Sequence, residues 1–349
     1  MKPLRKGIGI LVIALSVAGC ADRSITDASG AKDVRSIVPA FAFLSGAEAM
    51  ANFEPAEYPP YYYPGPIHGQ DDWSSLGANG SGCAVYDHQV VDNNAQVLTS
   101  YSYVTFGLQS LRLSNAITSG CFGDQTFSKR LPVGATGEAD AEGAEFEFAP
   151  GPTKNHFEAQ WDFASTVPDA EQPDLSVVAS PDRGDGSRMS WVQMADTRNG
   201  LEINFFEVRG KSDPAHFVGP LRIASNLDRT VPHTIRITMD FFEGPSNDVV
   251  KVYVDGQLKE IGTSWENYYR YDTEAAAHAQ KTPIVNRILF RTGGSAAIDN
   301  LGKGFLIDEF SMKSAQGPAS ASQCKNGGWR DFDWFNNQGD CMQYVNPGS

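Results

Sequence analysis

Cysteine is scarce and poorly spaced for metal. The 349 residues hold five, none in a Cys-x-x-Cys pair, and the 26-residue C-terminal segment carrying two of them has no histidine. A zinc site is therefore not expected there. Basic side chains are outnumbered, 28 against 42 acidic. The formal charge of −14 falls to −17 without Lys2, Arg5 and Lys6 of the leader. A surface so acidic repels phosphate backbones, which argues against a nucleic-acid partner. A glycine-rich phosphate loop, a nucleophile elbow and a paired-histidine metal motif are missing. So is helical periodicity beyond about two turns, Glu274 to Gln280 being the best short stretch.

What is present begins with the leader. Three basic residues precede an apolar run, Ile8 to Val17, too short to span a bilayer and laid out as a secretory signal peptide. Its end, Val17-Ala18-Gly19-Cys20, resembles the lipobox of bacterial lipoproteins. The resemblance implies cleavage after residue 19, diacylglycerol on the Cys20 thiol and acylation of the new amino group. Membrane lipid is thus an expected partner, since several chains anchor firmly at about 0.8 kcal/mol per buried CH₂. Ala21, rather than Asp, favours the outer membrane of a Gram-negative cell. The expected location is the cell envelope, facing periplasm or exterior.

Residues 20–67 read as anchor and tether, ending in Pro59-Pro60-Tyr61-Tyr62-Tyr63-Pro64-Gly65-Pro66, where dense proline favours extended chain. Within them the apolar patch Ile37 to Ala51 reads either as tether or as a short helix docked on the body. From 68 to 313 the signals are strands. Phe157, Ala159, Trp161 and Phe163 alternate with Glu158, Gln160 and Asp162, and Ile235, Ile237, Met239 and Phe241 alternate with Arg236, Thr238 and Asp240. Val249 to Val254 meets Asp255-Gly256, a hairpin turn signal, with Gln257 to Ile261 returning. Many short strands without βαβ alternation predict an all-β, two-sheet antiparallel sandwich. Residues 314–323 form a small-residue linker, and 324–349 a C-terminal segment.

The order of pieces resembles a concanavalin A-like (lectin/glucanase) jelly roll. The resemblance rests on Phe106 to Ser114, Asn247 to Gly256 and Phe305 to Phe310, and spans about two-thirds of the chain. It implies fold more than chemistry, because such folds host lectins, glucanases, lyases and inert spacers. Cys324-Lys325-Asn326-Gly327-Gly328-Trp329, followed by Phe335 to Cys341, resembles a short appendage found on many secreted bacterial proteins.

Apart from Cys20, four cysteines remain, and three pairings are open in principle. The linker separates the last two from the body, which favours Cys324–Cys341 and Cys83–Cys121. Such a bridge, worth about 3 kcal/mol, would staple a tail too small to fold alone.

Trp265, Tyr268, Tyr269, Arg270 and Tyr271 follow the hairpin in a segment that reads as loop. Rings that stack on sugar faces, with an arginine for hydroxyls, make it the candidate glycan site. The plainer alternative is that Trp265 and two tyrosines plug the core. Glu202-Ile203-Asn204-Phe205-Phe206-Glu207 resembles the Glu-x-Asp-x-x-Glu strand of laminarinase-type glucanases, with Asn204 replacing the aspartate. The resemblance implies Glu202 as nucleophile and Glu207 as acid/base, provided a bulge at Phe205-Phe206 turns both to one face. A second polar row combines Glu158, Gln160 and Asp162 with Arg236, Asp240, Arg287 and Arg291, if their strands are neighbours. The jelly-roll resemblance implies Asp308 of the final strand, joined by Asp71 or Asp72, as candidate ligands for a structural Ca²⁺. The expected function is polysaccharide binding without cleavage by a lipid-anchored jelly roll. The alternatives are a retaining glycoside hydrolase or polysaccharide lyase, and a structural or adhesive envelope protein.

Overall fold

A computed structural model describes residues 47–55, 62–75, 87–93, 106–118, 125–131, 136–138, 154–184, 186–272, 284–293 and 295–346. Contacts divide the chain into Met1–Phe41 and Ala42–Ser349, and every described residue belongs to the second unit. Cys20, Cys83, Cys121 and the stretch 274–280 lie outside the described residues.

The strands are β1 (Ala47–Ala51), β2 (Gly65–Pro66), β3 (His88–Asp92), β4 (Gln109–Leu113), β5 (Gln125–Phe127), β6 (Thr136–Gly137), β7 (His156–Ser165), β8 (Ser176–Asp182) and β9 (Trp191–Thr197). After them come β10 (Gly200–Arg209), β11 (His216–Leu227), β12 (His233–Asp240), β13 (Val249–Val254), β14 (Gln257–Gly262), β15 (Ile284–Val285), β16 (Arg287–Gly293) and β17 (Phe305–Ala315). The described α-helices, α1 (Glu266–Tyr271), α2 (Ala321–Cys324) and α3 (Gln338–Val345), are short. Among the described residues no helix is long and apolar enough to cross a membrane.

These strands build an antiparallel two-sheet jelly-roll sandwich. One sheet runs β14-β13-β12-β7-β17-β4-β3-β2, with β1 also on β17; the other runs β11-β10-β9-β8-β16-β5, and β15 and β6 form a separate two-stranded pair. Alternation explains the pairing. Trp161, Ala159 and Phe157 of β7 stand opposite Ile235, Ile237 and Met239 of β12, and those three opposite Val254, Val252 and Val250 of β13. All belong to one buried cluster with Val192, Met194, Ile203, Phe205 and Phe290 of the second sheet. Trp161 joins the layers: its indole Nε1 donates to Met194 Sδ at 3.4 Å, and its ring meets Phe290 edge-on at 5.7 Å. At the β13–β14 hairpin Asp255 (φ 50°) and Gly256 (φ 74°) both take the left-handed conformation, the geometry for which Asp-Gly is suited.

Ala47–Ala51, read either as tether or as part of a short docked helix, is strand β1, paired with Ala51 opposite Phe310 and Ala47 opposite Ser314. The C-terminal segment is stapled by Cys324–Cys341 (S–S 2.02 Å), as expected, yet it packs on the body. Trp334 stacks flat on His156 with ring centroids 4.1 Å apart, Phe242 meets Tyr344 at 5.3 Å, and Lys313 pairs with Asp333 at 3.1 Å.

β17 carries a bulge between Asp308 and Ser311. Asp308 is 1% exposed; burial, and next the charges of Glu309 and Glu54, raise its pKa to about 9, against bonds from Glu309 N and Ser110 Oγ. A folded pKa above the unfolded one means that the native state holds a proton the unfolded chain releases. Stability from this group is complete below about pH 4 and declines as pH rises toward 9, by up to about 1.4 kcal/mol per unit. Asp308→Asn, neutral throughout, is expected to be more stable than the parent at pH 8, with the gap closing at pH 4. Urea unfolding at both pH values measures it, and an equal effect at the two would refute the assignment.

Candidate functional site

Directly opposite residues on adjacent strands share a face of the sheet, so register places side chains. Across the six-stranded sheet Gln125 stands opposite Arg291, Arg291 opposite Val178, Val178 opposite Gln193, Gln193 opposite Asn204 and Asn204 opposite Arg222. The neighbours in sequence, Phe290, Ala179, Val192, Ile203 and Phe205, fill the core. The row therefore faces away from it, with Gln125, Val178 and Asn204 buried, Arg291 and Gln193 half-buried and Arg222 exposed. At about 4.8 Å per strand its five intervals span roughly 24 Å. Asn204 Nδ2 donates to Gln193 Oε1 at 3.3 Å.

An aromatic wall borders the row. Trp191 stands opposite Phe206, both half-buried, with centroids 5.4 Å apart. The Arg188 guanidinium lies 5.6 Å from the Trp191 ring centre. Phe217, 45% exposed, and Tyr268 extend the wall, packing together at 5.2 Å.

The predicted platform Trp265–Tyr271 supports this wall from behind. It is helix α1 rather than loop, and Trp265 and Tyr269 are buried, which removes them as a stacking surface. Trp265 Nε1 donates to the Phe206 carbonyl at 3.1 Å, and its ring lies 5.6 Å from Trp191. Tyr271 is 36% exposed. Arg270 ion-pairs with Glu138 and Glu266, so its charge serves the fold.

The predicted catalytic pair is split. The β9–β10 register is regular from Gly200 to Phe206, and the irregularity near Phe205 places the extra residue on β11. Without a bulge in β10, Glu202 shares the outer face and pairs with Arg222 at 3.2 Å. Glu207 lies with Phe205 against Gly262, accepts from Thr263 N at 2.9 Å and is 2% exposed. The predicted calcium pair divides too: Asp71 accepts from Tyr62 Oη at 2.6 Å and pairs with Lys129, whereas Asp308 takes Ser110 and Glu309.

Sequence reasoning missed a buried triad, Glu138, Asp248 and Glu266, whose carboxylate oxygens lie within 4.8 Å of one another. Nothing in the local sequence joins residues so far apart. Glu266 accepts from Asn247 N and Asp248 N, Ser264 Oγ donates to Asp248 at 2.6 Å, and Arg270 bridges the glutamates. Burial, then the charge of Glu266, raises the Asp248 pKa well above the usual carboxylate range. With one guanidinium and one readily protonated carboxyl, the cluster clasps α1 to the start of β13. The second polar row is also half formed: β7 and β12 are neighbours, but Arg287 and Arg291 belong to the other sheet.

No protein-family profile matches the sequence, and no characterised protein matches it. Solved structures show a general likeness. An alginate lyase Aly36B mutant in complex with alginate trisaccharide is 10% identical, covering 77% of this chain and 99% of its own, with TM-score 0.42. Peanut lectin with a nine-residue peptide is 11% identical over 78% and 98% (TM-score 0.36), and the Emp47p carbohydrate recognition domain 14% over 71% and 96% (0.31). At these scores the likenesses do not decide what the face holds.

Proposed function

We propose that this chain is a lipid-anchored envelope protein whose outer six-stranded face binds an acidic polysaccharide without cleaving it. The observation that carries the reading is the row Gln125, Arg291, Gln193, Asn204, Arg222 beside Trp191 and Phe206. Amides exchange hydrogen bonds with hydroxyls, guanidiniums grip carboxylates, and half-buried rings receive apolar sugar faces. Cys20, at the end of a lipobox-like leader, supplies the anchor.

Elimination needs a positioned base, and retaining hydrolysis needs two carboxyls about 5 Å apart. Glu202 stands near the row without Glu207, and the row's described polar side chains are amides and guanidiniums. That favours binding over cleavage.

The test is affinity electrophoresis against uronate polymers and neutral β-glucans, with unsaturated-uronate absorbance followed in parallel. Retardation by a uronate polymer is expected to weaken roughly tenfold, about 1.4 kcal/mol, in the Gln193→Ala/Asn204→Ala double variant. No absorbance is expected. Unchanged retardation would remove the row from the site, and accumulating product would remove the non-cleaving reading.

A further inference from the structure

The outer face of the other sheet brings a buried histidine nitrogen and a buried carboxylate within 4.0 Å of each other. His156 and Asp240 are directly opposite on β7 and β12, and the His156 Nδ1 lies 2.6 Å from Asp240 Oδ1. A carboxylate only accepts, so Nδ1 donates to Asp240 and the ring turns Nε2 away from it. That nitrogen is buried without a hydrogen-bond partner, and 4.0 Å away is Glu158 Oε2. Glu158 Oε1 is also buried and without a hydrogen-bond partner. Both residues are at least nine-tenths buried, at 1% and 3% exposure.

Two cations lie nearby. Lys313, directly opposite Glu158 on β17, pairs with Asp333 at 3.1 Å. Arg236 Nη1 ion-pairs with Glu158 Oε1 at 3.7 Å, with its guanidinium 3.9 Å from the Tyr253 ring centre. The C-terminal segment closes the top: Trp334 covers the His156 ring, and the buried Tyr344 hydroxyl, another oxygen with no hydrogen-bond partner, feels the charge of Asp240.

We propose that His156 Nε2 and the Glu158 carboxylate bind a divalent transition-metal ion of the zinc class beneath the C-terminal segment, with Asp240 orienting the histidine. An imidazole held through its far nitrogen by a carboxylate is the arrangement that fixes a metal-binding tautomer. Nitrogen and oxygen ligands sit about 2.0–2.2 Å from such an ion, so a tetrahedral pair stands roughly 3.4 Å apart. The 4.0 Å gap needs a glutamate adjustment of about half an ångström to reach that. The remaining positions are left to water or ligand oxygen. The site lies on the sheet opposite the proposed glycan row and does not depend on it.

The mature chain, stripped with chelator, is titrated with Co²⁺, whose visible absorption reports nitrogen and oxygen coordination. One cobalt per chain is expected, displaced by Zn²⁺. His156→Gln and Glu158→Gln should each weaken binding roughly tenfold or more, and Asp240→Asn should weaken it within the range of outer-shell changes, about tenfold to a hundredfold. Glu158→Gln and Asp240→Asn keep side-chain size, so they decide the matter should His156→Gln fail to fold. Absence of cobalt binding at sub-millimolar concentration, or binding unchanged in the variants that fold, overturns the proposal.

Discussion

Arg270→Ala is expected to cost about 3 kcal/mol of folding stability, although the residue looks from its sequence neighbourhood like a surface ligand contact. Its guanidinium bridges Glu138, 2% exposed at the side chain, and Glu266, fully buried. Removing it leaves two carboxylates beside Asp248 with no cation to offset them. Breaking one side of a buried pair costs 3–5 kcal/mol, and the arginine's own 27% exposure argues for the lower end. Arg270→Lys should recover only part, because an ammonium is a point charge that cannot span two carboxylates as a planar fork does. Urea unfolding at pH 7 measures both. A change under about 0.5 kcal/mol, the usual size for a surface substitution, would return Arg270 to the ligand role.

The contrast between Arg270 and its neighbours shows where sequence reading succeeds. Strands β7, β12 and β13 are legible because one face of each is fully apolar and period two is unambiguous. Strand β11 is not: it is an edge strand, mostly exposed, with Gly219-Pro220 inside it, so neither alternation nor propensity marks it. Its absence from the sequence reading matters for function, since Arg222 completes the polar row. That row takes one side chain from each of five strands, with Val178 between. Only register joins them, and register is a property of strand pairs. The Glu202/Glu207 pairing failed for the same reason: the irregularity by Phe205 is real but belongs to β11. Trp265 shows the opposite case. A cluster of aromatics signalled a site nearby, and it is the packing behind Trp191 that makes the signal true of the neighbourhood and untrue of Trp265 itself.

Core and site meet at β9, which sets the second large effect. Trp161→Ala is expected to lose about 4 kcal/mol, since a fully buried tryptophan vacates a large cavity between the sheets and Met194 loses its indole partner. Trp161→Phe should recover more than half, because an aromatic ring still meets Phe290 edge-on. Met194 points inward from the strand position next to Gln193, which points outward into the row. A cavity under Met194 lets β9 sink, and Gln193 then loses its 3.3 Å contact with Asn204. The variant should therefore bind polysaccharide more weakly even under conditions where it is fully folded, whereas a core substitution far from β9, such as Leu113→Ala on β4, should cost stability without touching affinity. Chemical unfolding and affinity electrophoresis on the same two proteins separate these outcomes. Equal affinity losses in both would mean that the row senses global stability and not the packing beneath it.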